Sequence, residues 1–458
     1  MIFYGLTLAS GFLAVWFLRV VRKPFYQLAQ HTLATLNSIL SPEEDEAKLQ
    51  SLQKSATGLL IWLLLIMLLL VTAAGILYIP LLLKGTLGWV KPDVYNALYW
   101  GLAVSAGASV PFFIPLPQKA SGYSELAQLL HRLILNHYYL GLRLLKWELK
   151  KHAPQPVNPQ QPFVIVSGLA RAGTTSLMNL LVQEPCFTSL SYAQMPFLLS
   201  PRTWQKWYKP SSKKVKERSH KDGIQISYQS SEALEEYFFK ALLNDAYLGK
   251  STLKEHHLSP KECALYARYQ RLIAGPNQLY LAKNNNFLLR YRSVRKAFPN
   301  FLFALLFRHP LYQAASLLAM HKRYSQLQSQ DPFVLEYMNW LGHHEFGQNH
   351  KWFAFSGHTP PATPKDTLDY WLEVWINYYQ KALEIEDANT VFINYHELCQ
   401  NPAAVLDNLS SKIGLEFSGE IAQGFSNKRK VEEPKQTERL AKALKIYERL
   451  KLRAKPGT

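Results

Sequence analysis

The stretch Gly168-Leu169-Ala170-Arg171-Ala172-Gly173-Thr174-Thr175-Ser176 combines two glycines, one arginine and three hydroxyl side chains. Glycines permit a tight loop whose backbone N–H groups converge on one point, and an apolar helical pattern follows in Leu177, Leu180 and Leu181. Convergent amides at a helix N-terminus, where the helix dipole is positive, make a site for an anion such as phosphate. A second constellation lies in Phe307-Arg308-His309-Pro310-Leu311-Tyr312-Gln313-Ala314-Ala315-Ser316-Leu317. Arg308 closes an apolar run, Pro310 opens a helix, and Ser316 lies two turns along it. An arginine and a hydroxyl so placed suit a phosphate monoester.

The first spacing is close to the nucleotide-binding pattern G-x-x-x-x-G-K-[ST]. Thr174 stands where that pattern has its phosphate lysine, and the cation has moved into the loop as Arg171. A nucleotide hydrolase or kinase needs the lysine on its outer phosphates and the next hydroxyl on magnesium. An arginine clamps phosphate through a planar fork without a metal. The run from Gly168 to Leu177 resembles the 5′-phosphosulfate loop of the sulfotransferases that use 3′-phosphoadenosine-5′-phosphosulfate (PAPS). The strand–Arg–x–Pro–Ser constellation is similar to their 3′-phosphate site. The likeness covers roughly residues 162–430.

The resemblance implies PAPS as sulfuryl donor. Gly168, Ala170, Arg171, Ala172, Gly173, Thr174, Thr175 and Ser176 would cradle its 5′ side, and Arg308 and Ser316 its 3′-phosphate. Lys283, at the end of another strand, resembles a lysine that faces the sulfuryl group, and Lys428 and Arg429 are further candidates for the adenosine phosphate. No metal is expected, because His343, His344 and His350 lack a ligand pattern. The acceptor, a hydroxyl or amine of a glycan, lipid or small alcohol, is not readable. Two other readings stand beside this one: a P-loop kinase or hydrolase, and a non-catalytic membrane protein with a decayed sulfotransferase fold.

The elements that must position these residues follow from the pattern. Phe163–Val166, Leu279–Lys283, Phe301–Phe307 and Thr390–Tyr395 are short apolar runs of the kind that form buried parallel strands. Helical stretches alternate with them, including 366–385 and one from Pro402. Strands alternating with helices imply an α/β fold, here a P-loop-type parallel sheet flanked by helices. In such sheets ligands bind beyond the carboxyl ends of strands. The glycine loop, Lys283 and Arg308 all fall there.

The chain has 458 residues and a formal net charge of +18. No nucleic-acid motif accompanies that charge, which points to anionic lipid or ligand. Cys186, Cys263 and Cys399 form neither a disulfide framework nor a zinc pattern. Apolar stretches at 2–21 and 57–83 read as membrane spans and 94–116 as a third span or a re-entrant segment, with a polar helical hairpin over 24–56. Arg22, Lys23, Lys48 and Lys54 mark the first loop as cytoplasmic. With three spans the globular part is cytoplasmic too, as in a multi-pass protein of a bacterial inner membrane. Residues 119–160 read as a basic amphipathic helix and a Pro-rich linker, 153–159, ahead of the sulfotransferase domain, 161–458.

An acceptor hydroxyl loses a proton on transfer, so a base is expected. Candidates between the loop and the second strand are Glu235, Glu236, His220 and Asp222. A helix over Ser231–Leu243 would set Glu235 beside the apolar stripe and Glu236 nearly opposite it. Glu235 ranks first, Glu236 second, His220 third.

Overall fold

The computed structural model describes residues 2–42, 45–86, 97–114, 123–152, 160–209, 216–217, 225–226, 233–357, 359–417 and 437–454. Two compact units divide at residue 140. The larger unit, 141–458, is built on five parallel strands: β1 (Val164–Ser167), β2 (Phe187–Thr188), β3 (Leu279–Lys283), β4 (Leu302–Phe307) and β5 (Thr390–Asn394). Their order across the sheet is β2-β3-β1-β4-β5. β1 is central, pairing Val166 with Lys283 on one side and with Ala304 on the other. β1 and β4 are buried at every position, because helices cover both faces of a parallel sheet. One side of the core joins Val164, Val166, Ala304 and Leu306 to Leu177, Leu181 and Leu409 from the covering helices. The four expected strands and the 366–385 helix are thus present within a residue or two, the helix as Leu368–Glu384. The two-residue edge strand β2 is too short to carry a period.

A small parallel pair, Thr252–Lys254 with Trp352–Ala354, ties down the segment between β4 and β5. That segment also holds the helix Pro332–Trp340 and the turn-rich stretch 341–350. Gly141 packs on Leu199, and Glu148 Oε1 accepts from the Thr203 backbone N–H at 2.5 Å. The compact division therefore falls upstream of the linker 153–159, which lies outside the described residues.

The smaller unit, 1–140, is helical: Ile2–Val20, Lys23–Leu40, Asp45–Thr86, Ala97–Ser109 and Glu125–Leu135. Ile2–Val20 and Glu46–Leu83 are long and apolar enough to cross a membrane. The second limb of the expected hairpin runs without a break into the second apolar stretch, giving one 42-residue helix. The third stretch is a 13-residue α-helix followed by a 3-10 turn holding Pro111. At 1.5 Å per residue its α-helical part spans about 20 Å, against about 30 Å of hydrocarbon. Residues 94–96, 115 and 116 lie outside the described ones. Gly107 lets this helix touch the first: a Cβ there would sit 1.9 Å from the Leu8 carbonyl oxygen. The expected amphipathic helix is two helices, broken at Asn136-His137.

Two buried histidines give 341–350 a pH signature. His350 Nδ1 lies 3.1 Å from the His344 carbonyl oxygen, and His344 Nδ1 lies 3.0 Å from that of Asn349. Burial pushes both imidazoles down to about 3, with Lys240 acting against His344 and Lys365 and His321 against His350. The unfolded chain binds protons near pH 6.5 and the folded one only near 3, so stability falls as pH drops through that window. Denaturant unfolding in detergent should show this loss below about pH 6.5, and His350→Gln should flatten the slope.

Candidate functional site

β1 ends on Ser167, whose hydroxyl donates to the Asn284 carbonyl oxygen at 2.8 Å. The chain then turns sharply. Gly168 has φ +151°, and a Cβ there would meet the Leu306 carbonyl oxygen at 2.5 Å. Arg171 sits at φ 71°, a left-handed conformation uncommon outside glycine. Gly173, at φ 98°, caps the helix Thr174–Leu181 and faces the ring of Tyr395.

Gln313 fixes the direction of the loop. Its Nε2 donates to the carbonyls of Leu169 (2.9 Å) and Ala170 (3.1 Å). Its own Oε1 accepts from Trp375 Nε1 at 2.9 Å. In a trans peptide the N–H points opposite the carbonyl, so the amides of Ala170 and Arg171 face away from Gln313. This is the convergence an anion needs.

The cations arrive from three strand ends. Arg171 Nε donates to Ser316 Oγ at 3.1 Å, joining loop and strand–Arg–x–Pro–Ser motif across 145 positions of sequence. Lys283, the last residue of β3, donates to Thr175 Oγ1 at 2.8 Å. The Arg308 guanidinium, just past β4, lies 5.1 Å from the Tyr395 ring centroid, and Tyr395 follows β5 directly. Thr174, Thr175 and Ser176 are buried in the first turn of their helix. Ala170 and Ala172 are buried too.

The match to a family model settles what this arrangement belongs to. Residues 162–419, more than half of the chain, match the model described as the sulfotransferase family. The chain belongs to the sulfotransferase family. A comparison with curated proteins found no match. Among solved structures, the sulfotransferase STF1 from Mycobacterium tuberculosis is similar at 14% identity and TM-score 0.37, over 73% of this chain and 87% of that one. The sulfotransferase STF9 from Mycobacterium avium is similar at 14% identity and TM-score 0.37, over 78% and 83%. A sulfotransferase from Alicyclobacillus acidocaldarius is similar at 13% identity and TM-score 0.30, over 64% and 94%.

In this chain the expected bases do not lie as a helical wheel has them. The helix begins at Glu236, not Ser231, so Glu235 is the residue before its first turn. Glu236 does not point away from the core: it is 3% exposed and Glu235 1%. Glu235 Oε1 accepts from the hydroxyls of Tyr266 (2.5 Å) and Tyr280 (2.9 Å), and Oε2 from Asn284 Nδ2 (2.9 Å). Burial raises its carboxyl above the usual range, opposed by those three donors. Glu236 takes both guanidinium nitrogens of Arg290 at 2.7 Å, with Tyr247 and Asn284 as further donors. Burial would raise Glu236, but Arg290 holds it below the ordinary glutamate value. His220, Asp222, Lys428 and Arg429 lie outside the described residues.

Several residues of the site carried little signal. Gln313 sits one helical turn before Ser316 in the second motif, and its spacing could have pointed to it. Arg290 and Tyr378 are far from their partners in sequence and sit among ordinary helical residues.

Gly173→Ala tests the loop directly. Its Cβ would sit 2.1 Å from the Tyr395 ring, at a φ that side chains avoid. The strain should be about 1–3 kcal/mol. Calorimetry should show loss of anion binding at the loop while circular dichroism shows a folded protein.

Proposed function

We propose that this sulfotransferase moves a sulfuryl group from PAPS to a hydroxyl or amine of a glycan, lipid or other acceptor near a membrane. The observation that carries the reading is the Arg171–Ser316 hydrogen bond at 3.1 Å. It links the glycine loop to the strand–Arg–x–Pro–Ser motif beyond the carboxyl ends of two neighbouring strands, which supports a reading in which both motifs serve one ligand. The loop amides and Arg171 hold the leaving 5′-phosphate, Arg308 and Ser316 the 3′-phosphate, and Lys283 faces the sulfuryl oxygens. Charge spreads over those oxygens and the leaving oxygen in the transition state, so fixed cations stabilise it by position.

Lys283 also speaks against the kinase or hydrolase reading. Thr175 is the hydroxyl that would take magnesium in a nucleotide P-loop, and here its Oγ1 accepts from the lysine ammonium. The same positions suit a metal-free donor clamp.

The two long apolar helices support membrane association, since Leu60, Leu64, Met67 and Leu68 stand exposed along one of them. A soluble surface rarely carries so continuous an apolar face. The reading takes its donor from the cytoplasm, so it sets the 141–458 unit there and requires the chain to recross the membrane between 86 and 123. A cysteine introduced at Thr86 should then label from outside intact cells. Labelling only after permeabilisation would reverse that topology.

Calorimetry should show adenosine 3′,5′-bisphosphate binding well above ATP or GTP. Arg171→Ala and Arg308→Ala should each cost about 1.5–3 kcal/mol of donor interaction, the worth of a charged hydrogen bond. Arg308→Ala should act on nucleotide affinity, because the 3′-phosphate is remote from the reacting sulfur. Arg171→Ala should lower turnover as well, since its partner gains charge in the transition state. Unchanged binding and turnover in both would remove the assignment.

A further inference from the structure

The three asparagines after Lys283 tie its strand end to a segment outside the two phosphate motifs. Asn284 binds Glu235 and Glu236. Asn285 Nδ2 donates to Glu345 Oε1 at 3.0 Å, and Asn286 Nδ2 donates to the Gly342 carbonyl oxygen at 2.9 Å. Both partners flank His343. Glu345 also connects back to the loop: the Tyr378 hydroxyl donates to the Asn285 carbonyl oxygen at 3.0 Å and lies 3.3 Å from Ser167 Oγ, one residue before Gly168.

His343 Nδ1 lies 3.5 Å from Glu345 Oε1. The His343 side chain is 24% exposed, and that of Glu345 is 6% exposed. The imidazole therefore has Nδ1 toward a buried carboxylate on a side chain that is itself part-exposed. An imidazole oriented by a carboxylate is a proton acceptor in the correct tautomer. The two buried glutamates differ: both oxygens of each already accept from tyrosine, asparagine or arginine donors.

We propose that His343, oriented by Glu345, is the group that takes the proton from the sulfuryl acceptor. The proposal rests on the PAPS reading above. The acceptor oxygen or nitrogen forms the new bond to sulfur, and its proton passes to His343 Nε2. The bond from sulfur to the bridging oxygen breaks, and its electron pair leaves with the 5′-phosphate of adenosine 3′,5′-bisphosphate. Glu345 stays ionised through this step: burial would raise it, but His343 and the donors around it hold it down to about 2. Glu345 is a positioning residue, acting through the imidazole.

Transfer to water tests this without an identified acceptor. Full-length protein in detergent, in excess over sulfur-labelled PAPS, is followed by release of labelled sulfate. His343→Ala should slow release by roughly 10²-fold, with affinity for adenosine 3′,5′-bisphosphate unchanged. Free imidazole should restore part of the rate, which a merely structural histidine would not permit. Glu345→Gln should slow release less and keep the same affinity. Wild-type release from His343→Ala overturns the proposal, and so does a loss that imidazole leaves untouched. A wild-type protein that binds no adenosine 3′,5′-bisphosphate overturns the PAPS reading and this one with it; normal binding with an unaffected His343→Ala overturns this one alone.

Discussion

The candidate site depends on bringing cations from three strand ends to the loop after β1. Arg171 leans on Ser316, Lys283 on Thr175 and Arg308 on the face of Tyr395. A hydroxyl or an aromatic ring fixes the position of a cation at its contact point. The loop supplies its own positive potential through amides and the helix N-terminus. Gln313 secures it by holding two carbonyls on the far side. The geometry is costly locally, with Arg171 left-handed at φ 71° and Gly173 against a ring. The surrounding sheet and helices over-determine it.

The carboxylates stand one layer behind. Glu236 and Arg290 form a fully buried, bidentate pair, with the guanidinium 4.0 Å from the Phe239 ring centroid. Burying two charges is expensive, so such a pair says more about position than about net stability. Here it anchors Asn284, which both glutamates share. Asn284 is the residue after Lys283, so the acidic layer sets the strand end from which the lysine projects. Glu235, pushed toward its neutral form by burial, completes the same grip through two tyrosines and the asparagine.

What could be read from the sequence follows from how local each cause is. The strands were legible because burial on both faces demands short, continuous apolar runs. The loop and Arg308 were legible because glycine, arginine and proline have fixed roles at strand ends. The helix carrying Glu236 starts later than the pattern predicts because the apolar stripe continues upstream of its first turn. A stripe marks what packs inward; it does not mark where the first turn begins. The burial of Glu236 depends on Arg290, 54 positions away, and no period in either segment signals the pair. The hairpin and the second apolar stretch share one helix because nothing between 45 and 86 caps or breaks it until Pro80, which its interior accommodates.

One helix connects the parts that the sequence kept separate. Leu368–Glu384 carries Tyr370, Trp375, Tyr378 and Tyr379 toward different partners. Trp375 and Tyr379 reach Gln313 and the Leu306 carbonyl, behind the phosphate loop. Tyr378 lies between Ser167 and Asn285. Tyr370 lies 2.8 Å from His350 Nε2. His350 Nδ1 faces a carbonyl and must donate, so a neutral ring accepts from Tyr370 through Nε2. Rings of this size have few rotamers and pack as rigid spacers. The helix therefore sets the 341–350 segment in register with the loop after β1. A shared helix fixes the spacing of these two segments better than two independently placed loops would, and a reaction that depends on positioning would use that spacing.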